Sequence, residues 1–279
     1  MNSWGLVRVS VADIRGEPDQ RSEQVTQAIL GMSLEILKRR QNWRYVRLPD
    51  GHTGWVNELL LHMGGRAVIR RWEKGPKVMV TSPVALILSQ RHHASTPVSD
   101  AVIGTELLLE AEGLRWSRVI LPDHRQGWIA KKDTTDTKNI IHLEGGRPEE
   151  ILITARSFTG LPYLWGGTTP KGFDCSGYVQ TVFRLNGIAL PRDAYQQFTR
   201  GVEVLNRHEL RPADLLFFRA RTADRMTHVA IHIEEGQFIH CSGYVRTNSL
   251  NRTAEDYDAS LESLYAGAKR VVGGLASQC

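Results

Sequence analysis

The stretch Gly172-Phe173-Asp174-Cys175-Ser176-Gly177-Tyr178-Val179 sets a cysteine directly after a helix-capping residue, an arrangement suited to thiol chemistry. The Asp174 carboxylate can accept from the free backbone N–H groups of a helix that buries Val179, Val182 and Phe183 and ends near Asn186-Gly187. Cys175 then falls on the first turn. There the unpaired N–H groups and the positive end of the helix dipole favour thiolate over thiol and can also hold an oxyanion. A lone cysteine is more often a buried structural sulfur. The small neighbours Ser176 and Gly177 and the polar cap argue instead for an accessible one.

Candidate bases come from a hairpin further on. Thr227-His228-Val229-Ala230-Ile231-His232-Ile233 alternates as a strand, Glu234-Glu235-Gly236 suits a three-residue turn, and Gln237-Phe238-Ile239-His240 returns. If Ile233 pairs with Gln237, His240 faces Ala230, on the same side of the sheet as His228 and about 7 Å from it. A two-residue turn would send His240 to the opposite face. Cys175, His228 and His240 then form a nucleophile, base and orienter set. His232 reads as a structural histidine, and Cys241, next to His240, as core on the other face. Zinc is the rival for a Cys/His cluster, but no paired C-x-x-C occurs and the one H-x-x-x-H spacing, His228 to His232, falls on a strand and not on a helix, so no metal or cofactor is expected.

The elements that must position these groups follow. Pro148, Glu149-Glu150 and the series Ile151, Leu152, Ala155, Phe158 predict a helix ending at Gly160. Gly160-Leu161-Pro162-Tyr163-Leu164-Trp165-Gly166-Gly167 is too rich in Gly and Pro to be regular and reads as a pocket-lining loop. Upstream, Gly31, Trp43, Val46, Leu48-Pro49-Asp50 and Gly54-Trp55-Val56 recur 73 residues later as Gly104, Trp116, Val119, Leu121-Pro122-Asp123 and Gly127-Trp128-Ile129. Each copy alternates apolar and polar residues over short runs, which predicts small antiparallel sheets, with the tryptophans as core. Gly64-Gly65 reads as a linker between copies, and residues 131–146 as one before the catalytic part.

With 279 residues, 41% apolar and 23% charged, the chain is an ordinary globular protein of more than one domain. Thirty-five Lys and Arg against 30 Asp and Glu give +5, and the isoelectric point near 9.2 suits an anionic substrate but falls short of a nucleic-acid footprint. The clusters Lys38-Arg39-Arg40, Arg70-Arg71 and Lys131-Lys132 read as solvated faces. Arg8, Asp13, Arg15 and Glu17 interrupt the N-terminus and no long apolar run occurs, so neither a secretory signal nor a membrane span is expected. Three cysteines (Cys175, Cys241 and Cys279, the last on a tail after Gly273-Gly274) without framework spacing fit a reducing, cytoplasmic compartment.

Four ordered motifs carry a resemblance: Pro162-Tyr163-x-Trp165-Gly166-Gly167, Phe173-Asp174-Cys175-Ser176-Gly177, His228-Val229-Ala230-Ile231 and Phe238-Ile239-His240, with Pro212-Ala213-Asp214-Leu215 between them. Together they resemble the NlpC/p60-type family of papain-like cysteine peptidases. The Gly, Trp-x-x-Val and Gly-Trp-Val spacing resembles bacterial SH3-like domains. The pairing is similar to the γ-D-glutamyl-L-diamino acid endopeptidases of the dipeptidyl-peptidase VI type. The fold so implied is α+β, a papain-like catalytic domain over 145–279 preceded by two small SH3-like β-barrels, 1–63 and 66–135.

The same resemblance implies hydrolysis of the γ-D-glutamyl bond to L-Lys or meso-diaminopimelate in peptidoglycan stem peptides, during murein peptide recycling. It makes Cys175, His228 and His240 the triad and Tyr163 the oxyanion donor. Asp174, Ser176, Trp165, Asp193 and Ala194 line the pocket. Glu17 and His52 come from the first SH3-like domain, which in such enzymes blocks the groove so that only a free N-terminal L-Ala fits. His52 stands where Tyr is usual and Ala194 where Ser is usual, which puts the amine-end contacts in question. Asp174 and Asp193 also read as helix caps, and Glu17 before Pro18 as an exposed turn. A peptidoglycan-binding scaffold, or an amidase or acyltransferase on the same fold, are the alternatives.

Overall fold

The computed structural model describes residues 3–137 and 146–273 and divides into two compact units, Met1–His142 and Leu143–Cys279. Cys279, Gly274 and half of the 131–146 segment read as a linker, residues 138–145, lie outside the described residues; its first part is not a linker but a helical turn, Lys131–Asp133, and a strand, Thr134–Asp136, paired with Lys77–Val80.

The first unit holds two antiparallel sheets of seven strands. One runs in the order Gln24–Ile29, Val11–Arg15, Thr53–Asn57, Trp43–Arg47, Ser33–Arg40, Ser3–Val7, Leu61–Gly64. The other runs Pro97–Val102, Val84–Leu88, Gln126–Ala130, Trp116–Ile120, Glu106–Glu112, Lys77–Val80, Thr134–Asp136, the same order displaced along the chain. Their cores correspond residue for residue. Val7, Ala12, Ile14, Ala28, Leu34, Val46, Leu48 and Val56 are buried in the first, and Val80, Ala85, Ile87, Ala101, Leu107, Val119, Leu121 and Ile129 in the second. Gly31 and Gly104 share the same left-handed turn, φ +81° in both, each donating its N–H to the carbonyl of Val7 or Val80 at 2.9 Å.

Two features differ from the sequence reading. The tryptophans of the repeat are only half-buried, because strand parity turns Arg44 and Val46, or Gly54 and Val56, inward and puts Trp43 and Trp55 on the other face. There Trp55 lies 5.2 Å from the Tyr45 ring, and Trp128 lies under the Arg91 guanidinium at 4.7 Å. Gly64 and Gly65, read as a linker, are a strand end and the cap of a helix, Arg66–Lys74. Its i, i+3 pair Ile69 and Trp72 buries against Leu6, with Trp4 and Leu108 alongside, and the Trp72 Nε1–H donates to the Gly31 carbonyl at 2.9 Å. Arg70-Arg71 occupies the opposite, exposed side of that helix. Across the two sheets Arg8 pairs with Asp123 at 3.0 Å and Ser10 donates to Asp100 at 3.0 Å.

The second unit is built on a six-stranded antiparallel sheet in the order Val202–Val204, Tyr265–Arg270, Leu215–Phe218, His228–His232, Gln237–Ser242, Tyr244–Ser249, with a two-stranded sheet of Thr168–Thr169 and Gly172–Phe173 and with the helices Pro148–Arg156 and Cys175–Leu185 packed together. Leu215–Phe218 is apolar throughout because both its faces are buried. One face carries Leu216, Phe218, Ala230, Phe238 and Ala268. Beside the Cys175–Leu185 helix, Phe158, Phe173 and Tyr178 stack with centroids 5.2 to 6.4 Å apart, and the Tyr178 hydroxyl donates to the Ala155 carbonyl at 3.0 Å. The Cys241 thiol is buried and donates to the Phe173 carbonyl at 3.2 Å. No helix among the described residues is long and apolar enough to cross a membrane.

Candidate active site

Asp174 starts the helix Cys175–Leu185, its Oδ1 accepting from the Gly177 N–H at 2.6 Å. It does more than cap. Oδ2 accepts from the Gly166 N–H at 3.0 Å, and Arg192, 2% exposed, closes on both oxygens, with Nη1 3.0 Å from Oδ1. The same Nη1 donates to Ser176 Oγ at 3.0 Å. Asp174 and Ser176 are therefore buried and committed to Arg192, which binds the loop before the helix to the helix itself. The glycines of this region are needed for close approach: a Cβ on Gly177 would run into the Gly167 carbonyl, and one on Gly167 into the Gly172 carbonyl.

The sulfur of Cys175 lies 4.0 Å from the Thr227 carbonyl, and the Val229 N–H is directed at it. It is thus set against the backbone on both sides of His228. Burial, followed by the Asp174 carboxylate, pushes the thiol up to about 12, against the pull of the Val229 and Ser176 N–H groups and of Arg192. This works against the thiolate expected from the helix start, although Cys175 is itself only half-buried. A helix terminus is worth about 0.3–1 kcal/mol to an exposed anion, and partial burial of the sulfur opposes it.

Strand pairing delivers the histidines. The Ile233 N–H donates to the Gln237 carbonyl at 2.8 Å around a turn with Glu235 and Gly236 at positive φ, and the register Ile231↔Ile239, His232↔Phe238 sets His240 opposite Ala230. His228 Nε2 and His240 Nδ1 are 2.8 Å apart, and His240 Nε2 is 3.0 Å from Asn248 Oδ1. Burial, then His240 and Arg246, push His228 down to about 3. Burial also pushes His240 down to about 4, with Asn248 opposing and Arg246 assisting. Burial thus works against charge on the Cys175 thiol and on both imidazoles. His232 stands apart, its Nδ1 2.9 Å from the Arg211 carbonyl.

Arg192, Arg246 and Asn248 escaped the sequence reading. For the last two a signal existed: Gly243, at φ +72°, turns the chain so that Ser242 pairs with Tyr244 and His240 with Arg246, which puts Arg246 and Asn248 on the His240 face. Arg192 had no local signal, since it meets Asp174 only through the fold.

The other expected site residues are placed as follows. Tyr163 is half-buried, anchored by its N–H on the Gly243 carbonyl at 2.9 Å; burial, with Cys175 and Asp174 adding, raises its phenol well above the usual range and keeps it a proton donor. Trp165 is 61% exposed. Asp193 and Gln196 form a capping box on the short helix Ala194–Gln197, whose first residue is buried. Glu17 and His52 belong to the first unit. Glu17 is exposed in a turn closed by Ser22 Oγ donating to its carbonyl at 2.9 Å, and the His52 N–H donates to Asp50 at 2.9 Å. Among the described residues no group of three or more His, Cys, Asp or Glu could hold a metal ion.

A half-buried cysteine at a helix start, set against the backbone that flanks a strand histidine, with a second imidazole hydrogen-bonded to that histidine, defines a cysteine peptidase class, and comparison with known proteins specifies which. Residues 160–259 match the NlpC/P60 family and residues 14–59 match the bacterial dipeptidyl-peptidase Sh3 domain. The chain is 33% identical over 226 residues to a γ-D-glutamyl-L-lysine dipeptidyl-peptidase of Bacillus cereus, an alignment covering 77% of this chain and 66% of that protein. It is 27% identical over 258 residues to dipeptidyl-peptidase 6 of Lysinibacillus sphaericus, covering 88% and 91%. The crystal structure of an NlpC/P60 family protein from Bacillus cereus superposes with a TM-score of 0.83 at 26% identity, over 96% of this chain and 99% of the other. The chain belongs to the NlpC/P60 family of cysteine peptidases, mostly sheet with few helices and with an SH3-like domain at its N-terminal side.

Proposed function

We propose that this chain is a cysteine endopeptidase cutting the γ-D-glutamyl-L-diamino acid bond of peptidoglycan stem peptides, with L-Lys or meso-diaminopimelate after the cut. The observation carrying the mechanism is the seating of the Cys175 sulfur against the backbone that flanks His228, with His228 hydrogen-bonded to His240. Relatives named γ-D-glutamyl-L-lysine dipeptidyl-peptidase support the substrate class.

In this reading His228 takes the thiol proton as the sulfur attacks the γ-carbonyl, and returns it to the leaving amine. Water then resolves the acyl-enzyme and releases L-Ala-D-Glu. The helix N–H groups at Cys175 and the Tyr163 hydroxyl hold the oxyanion. Trp165, Asp193 and Ala194 line the groove. Asp174 and Ser176 act by holding its wall through Arg192. Glu17 and His52 lie in an SH3-like domain of residues 1–63, a second such domain spans 66–135, and the substrate carries a free amino terminus on L-Ala. The setting we favour is murein peptide recycling in the cytoplasm.

The test is a digest panel of stem peptides with free and blocked amino termini, read by mass spectrometry. Cleavage after γ-D-Glu of the free peptide alone, abolished by Cys175→Ala, is the expected outcome. Cleavage retained by Cys175→Ala would refute the nucleophile, and equal cleavage of blocked peptide would refute the amine requirement.

A further inference from the structure

Resting on that peptidase reading, we infer that Asn248 fixes where the protons sit on the imidazole pair, so that His228 presents a bare Nδ1 to the Cys175 thiol. A backbone carbonyl can only accept, so the Asn248 atom that meets the Asp256 carbonyl at 3.3 Å is the Nδ2 amide nitrogen, and Oδ1 is turned toward His240. That carbonyl is itself held in place, accepting from the Ser249 N–H at 2.9 Å. An amide oxygen also only accepts, so His240 Nε2, 3.0 Å away, carries the proton. A neutral imidazole holds one N–H, which leaves a lone pair on His240 Nδ1. The atom 2.8 Å from that lone pair, His228 Nε2, must then be the donor. His228 is left with its own lone pair on Nδ1, which has no hydrogen-bond partner among the described residues.

The opposite arrangement places N–H on both Nδ1 atoms and leaves His228 Nδ1 protonated where the proposed reaction requires a base. It would need Asn248 to donate to His240, turning its oxygen against the Asp256 carbonyl. His240 is fully buried, so bulk water does not compensate for that misfit. The charged groups around the pair do not replace Asn248. Arg246, opposite His240 in the register, can only donate, and Asp258 spends its Oδ1 on the Leu261 N–H at 2.9 Å. The Asp256 carboxylate is engaged by the Gln237 amide at 3.3 Å. On attack one proton moves, from Sγ to His228 Nδ1. The imidazolium so formed keeps donating from Nε2 to His240, and no second proton needs to travel. Asn248 is a positioning residue acting through His240.

The experiment uses the full chain, labelled with 15N-histidine, as wild type, Asn248→Leu and Asn248→Asp. Long-range 1H–15N spectra at neutral pH read the tautomers, and the iodoacetamide alkylation rate of Cys175 reads the base without any peptide substrate. Wild type should show both rings as Nε2–H. Asn248→Asp keeps an acceptor and should keep that signature. Asn248→Leu removes the acceptor and should mix the tautomers and slow alkylation about tenfold, the worth of one buried hydrogen bond. If Asn248→Leu fails to fold, Asn248→Thr, whose hydroxyl can donate or accept, should mix the tautomers in its place. A wild-type spectrum in folded Asn248→Leu, or equal slowing in the Leu and Asp variants, overturns the assignment. Stem peptides left uncut by a wild type with the expected tautomers would remove the peptidase reading while supporting the role of Asn248.

Discussion

Arg192 and Asp174 form the most consequential pair in the peptidase unit, and their coupling is measurable. Arg192 is 2% exposed and gives two hydrogen bonds to Asp174 and one to Ser176, while Asp174 also holds the Gly177 and Gly166 N–H groups. Arg192→Met leaves a buried carboxylate and Asp174→Asn leaves a buried guanidinium, each costing about 3–5 kcal/mol. Against a typical 5–15 kcal/mol for a whole domain, either loss comes close to unfolding it. The double variant has no buried charge, and Asn at 174 still caps the Gly177 N–H. It should therefore be more stable than either single variant, with a coupling of about 3 kcal/mol. Urea unfolding followed by hydrogen exchange at the amides of the Cys175–Leu185 helix gives the three values. A second reading comes from the sulfur: the carboxylate raises the thiol and the guanidinium lowers it, so the pH midpoint of alkylation should fall in Asp174→Asn and rise in Arg192→Met. A double variant as unstable as the sum of the singles would refute the idea that the ion pair organises this wall.

Two further outcomes follow from the site. His228 and His240 are held below their ordinary 6.5, so below that pH the unfolded chain binds more protons than the folded one. The stability they contribute is complete above pH 6.5 and is lost as pH falls from 6.5 through about 4 toward about 3; urea midpoints at pH 7 and pH 5 should show the drop, and His240→Gln should flatten it. Gly177→Ala should displace the Gly166-Gly167 segment from the helix start, lowering kcat for stem-peptide cleavage at least tenfold while the first unit melts unchanged; wild-type kcat would count against the close-approach argument.

What was legible in the sequence was what nearest neighbours decide. The cap at Asp174, the capping box at Asp193 and Gln196, the turn at Glu235-Gly236 and the parity that brings His240 to the His228 side all follow from a few adjacent residues. The repeat was legible because its turns demand glycine at the same places. What escaped depends on partners distant in the chain. The state of the Cys175 thiol is set by how much water reaches it, and by Asp174 held in place by a guanidinium 18 residues away. The helix Arg66–Lys74 has only two buried residues, Ile69 and Trp72, too few for a periodic signal among five charged ones. The outward tryptophans went wrong for a reason of period: an aromatic suggests core, but the strand's alternation of two decides the face.

The shared strand order of the two N-terminal sheets means that, while the chain is being made, every strand meets two frames that would accept it. Ser3–Val7 could lie beside Ser33–Arg40 or beside the equivalent Glu106–Glu112. The longer loop of the wrong choice costs only about 1 kcal/mol more to close, because closure entropy grows with the logarithm of length. Fidelity must therefore come from side chains that differ between the frames, among them the pair Lys77 and Glu106 at 2.9 Å, which has no counterpart at Trp4 and Ser33. The wedge of Ile69 and Trp72 adds to it, because it seats only when each half has folded upon itself.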